Sequence, residues 1–463
     1  MLTICAPDSY HAEREYIFHV VFSCFLGIDY TVNYESNLNA VVIRGEKSSI
    51  SITDGLFSVE KTEWLSDKCL PVLPLKKGFL CEEIDFNINS IPVLYGHVLD
   101  SGKYLEVKDG DVSLGIDIFG SSFFMLTRLE EYIVNDRDVQ DRFPVEASIA
   151  YKAGFLERPI VNEYVEILWC LLKKIEPSLV RKNQKYKVLP THDIDKPFDM
   201  MFETPLQISR HFVGDILYRK SVYAMLKRVR DVYQLNFNKK KYISRKTETY
   251  DFIDAISSKH NLKDIFFFMN SKKSWYDGNY TIDEPHVLCI ISKLVSKGHH
   301  IGLHPSFDSY MDVDEIKKEV ALMNDVFTNN KLPLLVGARQ HYLKWKNPDT
   351  WQHYEDAGIP FDSSMTYAGH VGFRCGVCYP FPVFNLETRK ELKLIEHPLI
   401  VMDGTLYEYM GLSHDEALPV IKKLADECKK YNGEFVILWH NTMLDCKNER
   451  DFYSKMLDEV CCE

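Results

Sequence analysis

The sequence predicts an α/β chain in two parts, an N-terminal mixed α/β domain over 1–185 and a distorted (β/α) barrel of seven or eight strands over 186–463. Three observations lead there. From Thr249 onward, short apolar runs alternate with amphipathic helical stretches, the pattern of parallel βαβ units. Several of those apolar runs end in polar, chemistry-bearing residues, as strands of α/β folds do at their carboxyl ends. No Gly-rich phosphate loop follows the first run, which favours a barrel over an open nucleotide-binding sheet.

In the first part, Ala40–Arg44, Ser49–Thr53, 93–99 and 104–107 read as strands, and 122–134 and Ile160–Ile175 as helices. The apolar run 17–28 is too short to span a bilayer and reads as a core helix. Glu130, Glu131, Asp136, Arg137 and Arg142 form a charged stretch expected to be a solvated face. Residues 176–187 read as a linker.

The second part opens on Lys187–Lys196, where an apolar run stops at Thr191-His192-Asp193-Ile194-Asp195. Two carboxylates one residue apart repel unless a cation neutralises them. A metal ion beside a general base explains the pair; so does an Asp cap on a following helix. A mostly helical insertion over 199–248 follows, rich in basic residues (Arg210, Arg219, Lys220, Lys227, Arg228, Arg230, Lys239, Lys240, Lys241). Its 205–246 portion is a candidate for weak contact with an anionic membrane surface, the alternative being a solvated face. Further strands are expected at 264–269, 300–304, 334–340, 359–362, 394–397 and 435–439, with helices at 250–259, 284–297, 313–327 and 349–357.

The polar strand ends are Asp193 and Asp195, His304-Pro305-Ser306, Arg339-Gln340-His341 and His440-Asn441-Thr442. In a barrel these converge on one rim. His300 and His304 are excluded as a metal pair, because four residues of strand span roughly 13 Å. His304 with Asp308 across the next turn is a candidate to close on an ion, and Arg339 and His341, sharing a strand face, could both point into the barrel mouth.

These residues resemble the polysaccharide deacetylases of carbohydrate esterase family four over about 186–445. Thr191-His192-Asp193-Ile194-Asp195 is similar to that family's first motif in its Asp-X-Asp form, and Gly298-His299-His300-Ile301-Gly302-Leu303-His304 to the second. Arg339 matches the third, Asp362 the fourth, and Ile437-Leu438-Trp439-His440 the fifth. The first part resembles an uncharacterised domain found in front of such deacetylases. One departure stands out: the second metal-binding His of the family's second motif falls at Asp308.

The resemblance implies a metal-dependent hydrolase that removes N-acetyl groups from a carbohydrate. Asp195, His304 and one or both of His341 and Asp308 would hold a divalent metal, zinc by default. Asp193 would be the general base, oriented by Arg339; His440 the general acid; Asp362 a residue that tunes His440. Tyr342, Trp345, Tyr367 and Phe373 would stack on sugar rings or fill the core. Two alternatives share the residues: a C–N hydrolase acting on a cyclic amide or imide, and a non-catalytic carbohydrate-binding protein of polysaccharide assembly. The net charge of −12 argues against a nucleic-acid partner. The N-terminus lacks a basic leader and no transmembrane segment is expected. The 12 scattered cysteines, Cys375 and Cys378 among them, read as reduced structural thiols, hence a cytoplasmic expectation.

Overall fold

The computed structural model describes residues 2–80, 90–198, 201–217, 222–270 and 274–462. The chain is mixed α/β with several sheets. It divides into two compact units: Met1–Lys187, Tyr342–Leu412 and Lys423–Val436 form the first, and Val188–His341, Ser413–Lys422 and Ile437–Glu463 the second. Each unit is thus assembled from separated stretches of chain.

In the first unit, strands Leu2–Pro7, Tyr30–Glu35, Ala40–Arg44, Ser49–Thr53, Leu105–Lys108 and Asp111–Leu114 form one six-stranded sheet. Val41, Ile43, Ile50 and Ile52 are buried while their neighbours along each strand are not, the period of two that marks a sheet with one covered face. The helix Ile160–Ile175 packs on Ser49–Thr53 and on the helix Ile118–Leu126. The apolar run at 17–28 is helical, but it widens into a π-helix at His19–Leu26 and stops at Gly27, whose φ of 67° suits only glycine without strain. Cys375 and Cys378 are buried, and burial pushes the Cys375 thiol up.

The charged stretch is not a solvated face. Glu130 and Glu131 are 1% and 2% exposed, and Arg142 is buried as well. Asp136, in the middle of the stretch, is exposed, and Arg137 is half-buried. Arg128 sits at φ 53°, which splits the expected helix into Ile118–Leu126 and Leu129–Ile133. Its buried guanidinium pairs with Glu130 at 2.5 Å and with Glu131 at 2.9 Å, and donates to Tyr367 Oη at 2.9 Å. Arg374 grips Glu131 from the other side with two hydrogen bonds, of 2.9 and 2.5 Å. Buried charges persist only when paired in this way. Trp345, Tyr367 and Phe373 belong to this buried core, which removes them as exposed sugar platforms; Tyr342 is 37% exposed.

In the second unit, parallel strands run in the order His300–Leu303, Ile265–Phe268, Lys187–Ile194. The expected strand at 334–340 is reduced to a parallel stretch beside His300–Leu303, through Val336 N–H to Ile301 O and Arg339 N–H to Leu303 O, both 3.0 Å. No closed barrel forms among the described residues. The expected strands near 359–362 and 394–397 are Phe361–Asp362 and Lys390–Glu396, which lie in the first unit in a three-stranded sheet with Phe381–Asn385. An antiparallel hairpin there interrupts the βα alternation that a barrel needs.

The insertion is helical at Pro205–Leu217, Val222–Phe237 and Lys239–Lys259. Some of its cations have local partners: the buried Asp231 takes Arg245 at 2.5 Å, and Arg210 lies over the Trp275 ring. Arg219 and Lys220 lie outside the described residues, as does the Lys227 side chain. Among the described residues no helix is long and apolar enough to cross a membrane.

The ion cluster makes a prediction. Burial works to raise the Glu131 carboxyl, and Arg374 and Arg128 overcome this and hold it below the usual range. A depressed acid contributes stability above its unfolded value, near 4.3, and loses that contribution as pH falls through the folded value. Glu131→Ala is expected to cost about 3–5 kcal/mol at pH 7, because it leaves the buried Arg374 unpaired. Urea denaturation at pH 7 and pH 4 checks this; the gap between wild type and variant narrows on the acid side.

Candidate metal centre and active site

The site grows from the end of Lys187–Ile194. Period two places Thr191, Asp193 and Asp195 on one side of the strand and its continuation, and His192 on the other. His192 Nδ1 lies 2.7 Å from Trp439 O and its ring stacks on Phe266, so it is a packing residue. Strand pairing sets Phe267 opposite both Asp193 and Gly302. A Cβ on Gly302 would fall 2.5 Å from the Phe267 ring, so only glycine leaves that ring in place. The ring in turn carries the Arg339 guanidinium on its face, 4.6 Å from the centroid.

Arg339 is fully buried. Its Nη1 donates to Asp193 Oδ1 at 3.0 Å and to Thr191 Oγ1 at 2.8 Å, and the Thr191 hydroxyl donates on to Ile437 O at 2.7 Å. Asp193 is therefore oriented by a cation on one oxygen. Its other oxygen, Oδ2, lies 3.8 Å from His304 Nε2.

Asp195, two residues on, faces three imidazoles. Its Oδ1 is 3.3 Å from His304 Nε2 and 3.9 Å from His341 Nε2, and its Oδ2 is 3.9 Å from His440 Nε2. One ligand atom from each of Asp195, His304 and His341 lies within 4.8 Å of the others. Burial works to raise the Asp195 carboxyl, and the three imidazoles hold it well below the usual carboxylate range. A third of the side chain still reaches the surface, so water has access to this charge. Asp195 Oδ1 is buried and has no hydrogen bond of good geometry, although it sits among ring nitrogens. One carboxylate oxygen and two imidazole nitrogens converging on a point fit a divalent ion with room for a further ligand.

The tautomer of His304 agrees. Its Nδ1 lies 2.6 Å from Arg339 O, a carbonyl that can only accept, so Nδ1 carries the proton and a neutral ring leaves its Nε2 lone pair toward Asp195. Burial works against a proton on the ring, yet Asp193 and Asp195 raise the His304 pKa overall, so protons compete with a metal at this nitrogen.

Of the predicted residues, the second unit brings together Asp193, Asp195, His304, Arg339, His341 and His440. Asp308 is exposed and opens the short turn Ser309–Met311, outside the cluster formed by Asp195, His304 and His341. Asp362 belongs to the first unit, fully buried, accepting from Trp351 Nε1 at 3.1 Å and Ser364 Oγ at 2.5 Å. Asp277, absent from every motif, lies 3.6 Å from His341 Nδ1. Tyr280 pins the end of the opening strand by donating to Ile194 O at 2.5 Å. Both sit in an apolar-poor loop with no periodic signal; Asp277-Gly278 marks it only as a turn.

Residues 2–177 match a family of unknown function, DUF7033. No curated protein matches the chain. Among solved structures, a chain from Mycobacterium smegmatis named as a polysaccharide deacetylase is similar at 16% identity and TM-score 0.41, covering 61% of this chain and 85% of that one. A family 4 carbohydrate esterase from Streptomyces lividans in complex with acetate gives 11% identity and TM-score 0.27, covering 45% and 81%. A chain from Bordetella bronchiseptica named as a polysaccharide deacetylase involved in O-antigen biosynthesis gives 12% and 0.27, covering 56% and 72%.

Two outcomes follow for the site. Gly302→Ala is expected to displace Phe267 and cost about 1–3 kcal/mol through overpacking, read by denaturant unfolding. In zinc titrations with a competing chelator, His304→Ala and His341→Ala are expected to lose the ion while Asp308→Ala keeps wild-type affinity.

Proposed function

We propose that the stretch 186–463 is a metal-dependent hydrolase of incomplete (β/α)-barrel type that removes N-acetyl groups from a carbohydrate, a polysaccharide or its precursor. The stretch 1–185, which packs in one unit with Tyr342–Leu412 and Lys423–Val436, has no assigned role in this reading. The observation that carries the proposal is the Asp195–His304–His341 donor set beside an Asp193 already oriented by Arg339. The carbohydrate substrate rests on the five-motif resemblance.

Asp195, His304 and His341 would hold the divalent ion, with zinc favoured by two nitrogen donors and one oxygen. When bound, the ion supplies Lewis acidity toward the amide carbonyl and toward water. Asp193 takes the proton of the attacking water at Oδ2, the oxygen that Arg339 leaves open. Arg339 holds the Asp193 carboxylate in place through its hydrogen bond to Oδ1. His440, 24% exposed, is reachable by substrate and delivers a proton to the departing amine, which leaves poorly without one.

Acetate release from N-acetylated oligosaccharides in the presence of zinc tests the activity. Asp193→Asn is expected to keep zinc and to lose on the order of 10²–10⁴-fold in rate. Unchanged acetate release in that variant would remove Asp193 as the base.

A further inference from the structure

We infer that Asp277 is the positioning residue of His341, keeping the proton on Nδ1 so that Nε2 turns its lone pair toward Asp195 and His304. The inference rests on the metal-site proposal above and adds to it what selects the third ligand.

The Asp277 carboxylate is fixed before the imidazole arrives. Its Oδ1 accepts from Phe307 N–H at 2.8 Å, and its Oδ2 accepts from Ser274 N–H at 2.7 Å. The side chain is fully withdrawn from solvent. Both Asp277 oxygens already act as acceptors of backbone N–H groups, and Oδ1 is the one turned to the ring. The ring nitrogen facing it must be the one that bears the proton, which leaves the opposite nitrogen as the metal donor.

The 3.6 Å between Asp277 Oδ1 and His341 Nδ1 is just beyond a formed hydrogen bond. A shift of a few tenths of an ångström closes it. His304 receives the same instruction from a backbone carbonyl, so the two imidazoles are set by different devices, one main-chain and one side-chain. Asp277 also holds Phe307, in the turn after His300–Leu303. One carboxylate therefore orients His341 and pins the turn whose next residue, Asp308, stands at the surface.

The test compares wild type, Asp277→Ala and Asp277→Asn. Imidazole ¹⁵N shifts of His341, assigned by their loss in His341→Ala, are read in the metal-free protein. Zinc affinity is read by chelator competition, and the visible spectrum is read with cobalt(II) in place of zinc. The expected result is a dominant Nδ1–H tautomer in wild type, a mixed tautomer in Asp277→Ala, zinc affinity about 10–100-fold weaker, and altered cobalt bands. Asp277→Asn, which keeps the volume, carries the test if the alanine variant does not fold. An unchanged tautomer together with unchanged zinc affinity overturns the role of Asp277. Should wild type itself take up no zinc, the metal-site proposal fails, while the metal-free tautomer comparison still decides whether Asp277 positions His341.

Discussion

The guanidinium of Arg339, fully withdrawn from water, faces Asp193 at 3.0 Å and rests on the Phe267 ring. Two carboxylates at one strand end repel strongly once water is excluded. Arg339 resolves half of that conflict by neutralising Asp193 alone. Its cost is its own desolvation, offset by Asp193, Thr191 Oγ1 and the ring face together. The glycine at 302 and the pairing of Phe267 with Asp193 are requirements of this one placement. A larger residue at 302 moves the ring, the ring moves the guanidinium, and Asp193 loses its orientation.

Asp195 is left to the imidazoles. The strand separates the two acids by one residue, enough for one to have a permanent cation and the other an exchangeable set of nitrogen donors. That asymmetry makes the pair chemically useful. In the proposed function the carboxylate held by Arg339 would act as the proton acceptor, and the carboxylate among the imidazoles as a ligand. Arg339 also serves His304 through its carbonyl, so a single residue fixes the base with its side chain and the tautomer of a donor with its backbone.

The acid pair, His304, Arg339 and His341 were legible because strand period two and strand-end chemistry are local patterns. Thr191-His192-Asp193-Ile194-Asp195 announces which side chains share a side, and Arg339 with His341 does so again. What escaped is nonlocal. Arg128 and Arg374 grip Glu131 across 243 residues of sequence in the second case, so five charges in a row looked like a wet surface. The break at Arg128 follows from the same ion pairs, which hold a positive φ that propensity disfavours. Asp277 was invisible for a similar reason. A loop aspartate reads as a turn residue until a histidine 64 positions later is seen 3.6 Å away. The strand expected at 334–340 shortened to a bridge because apolar composition records burial, while a ladder also needs a partner with matching length.

For the third ligand of the proposed metal site, electrostatics favours one of the two candidates that the sequence alone left. The strand end already carries Asp193 and Asp195 against a single Arg339. Recruiting Asp308 would place a second carboxylate in the donor set, cancelling the charge of a divalent ion and weakening its pull on water. Recruiting His341 leaves one carboxylate and two neutral rings, so one unit of positive charge survives to act on substrate. The geometry follows this accounting. Asp308 is exposed, and His341 is buried beside Asp195 with Asp277 behind it. Asp277 does add a negative charge near the site, but on the far side of the imidazole, where it strengthens the ring as a donor without occupying a position on the ion. A carboxylate that would weaken the centre as a ligand thus strengthens it from one ring further out.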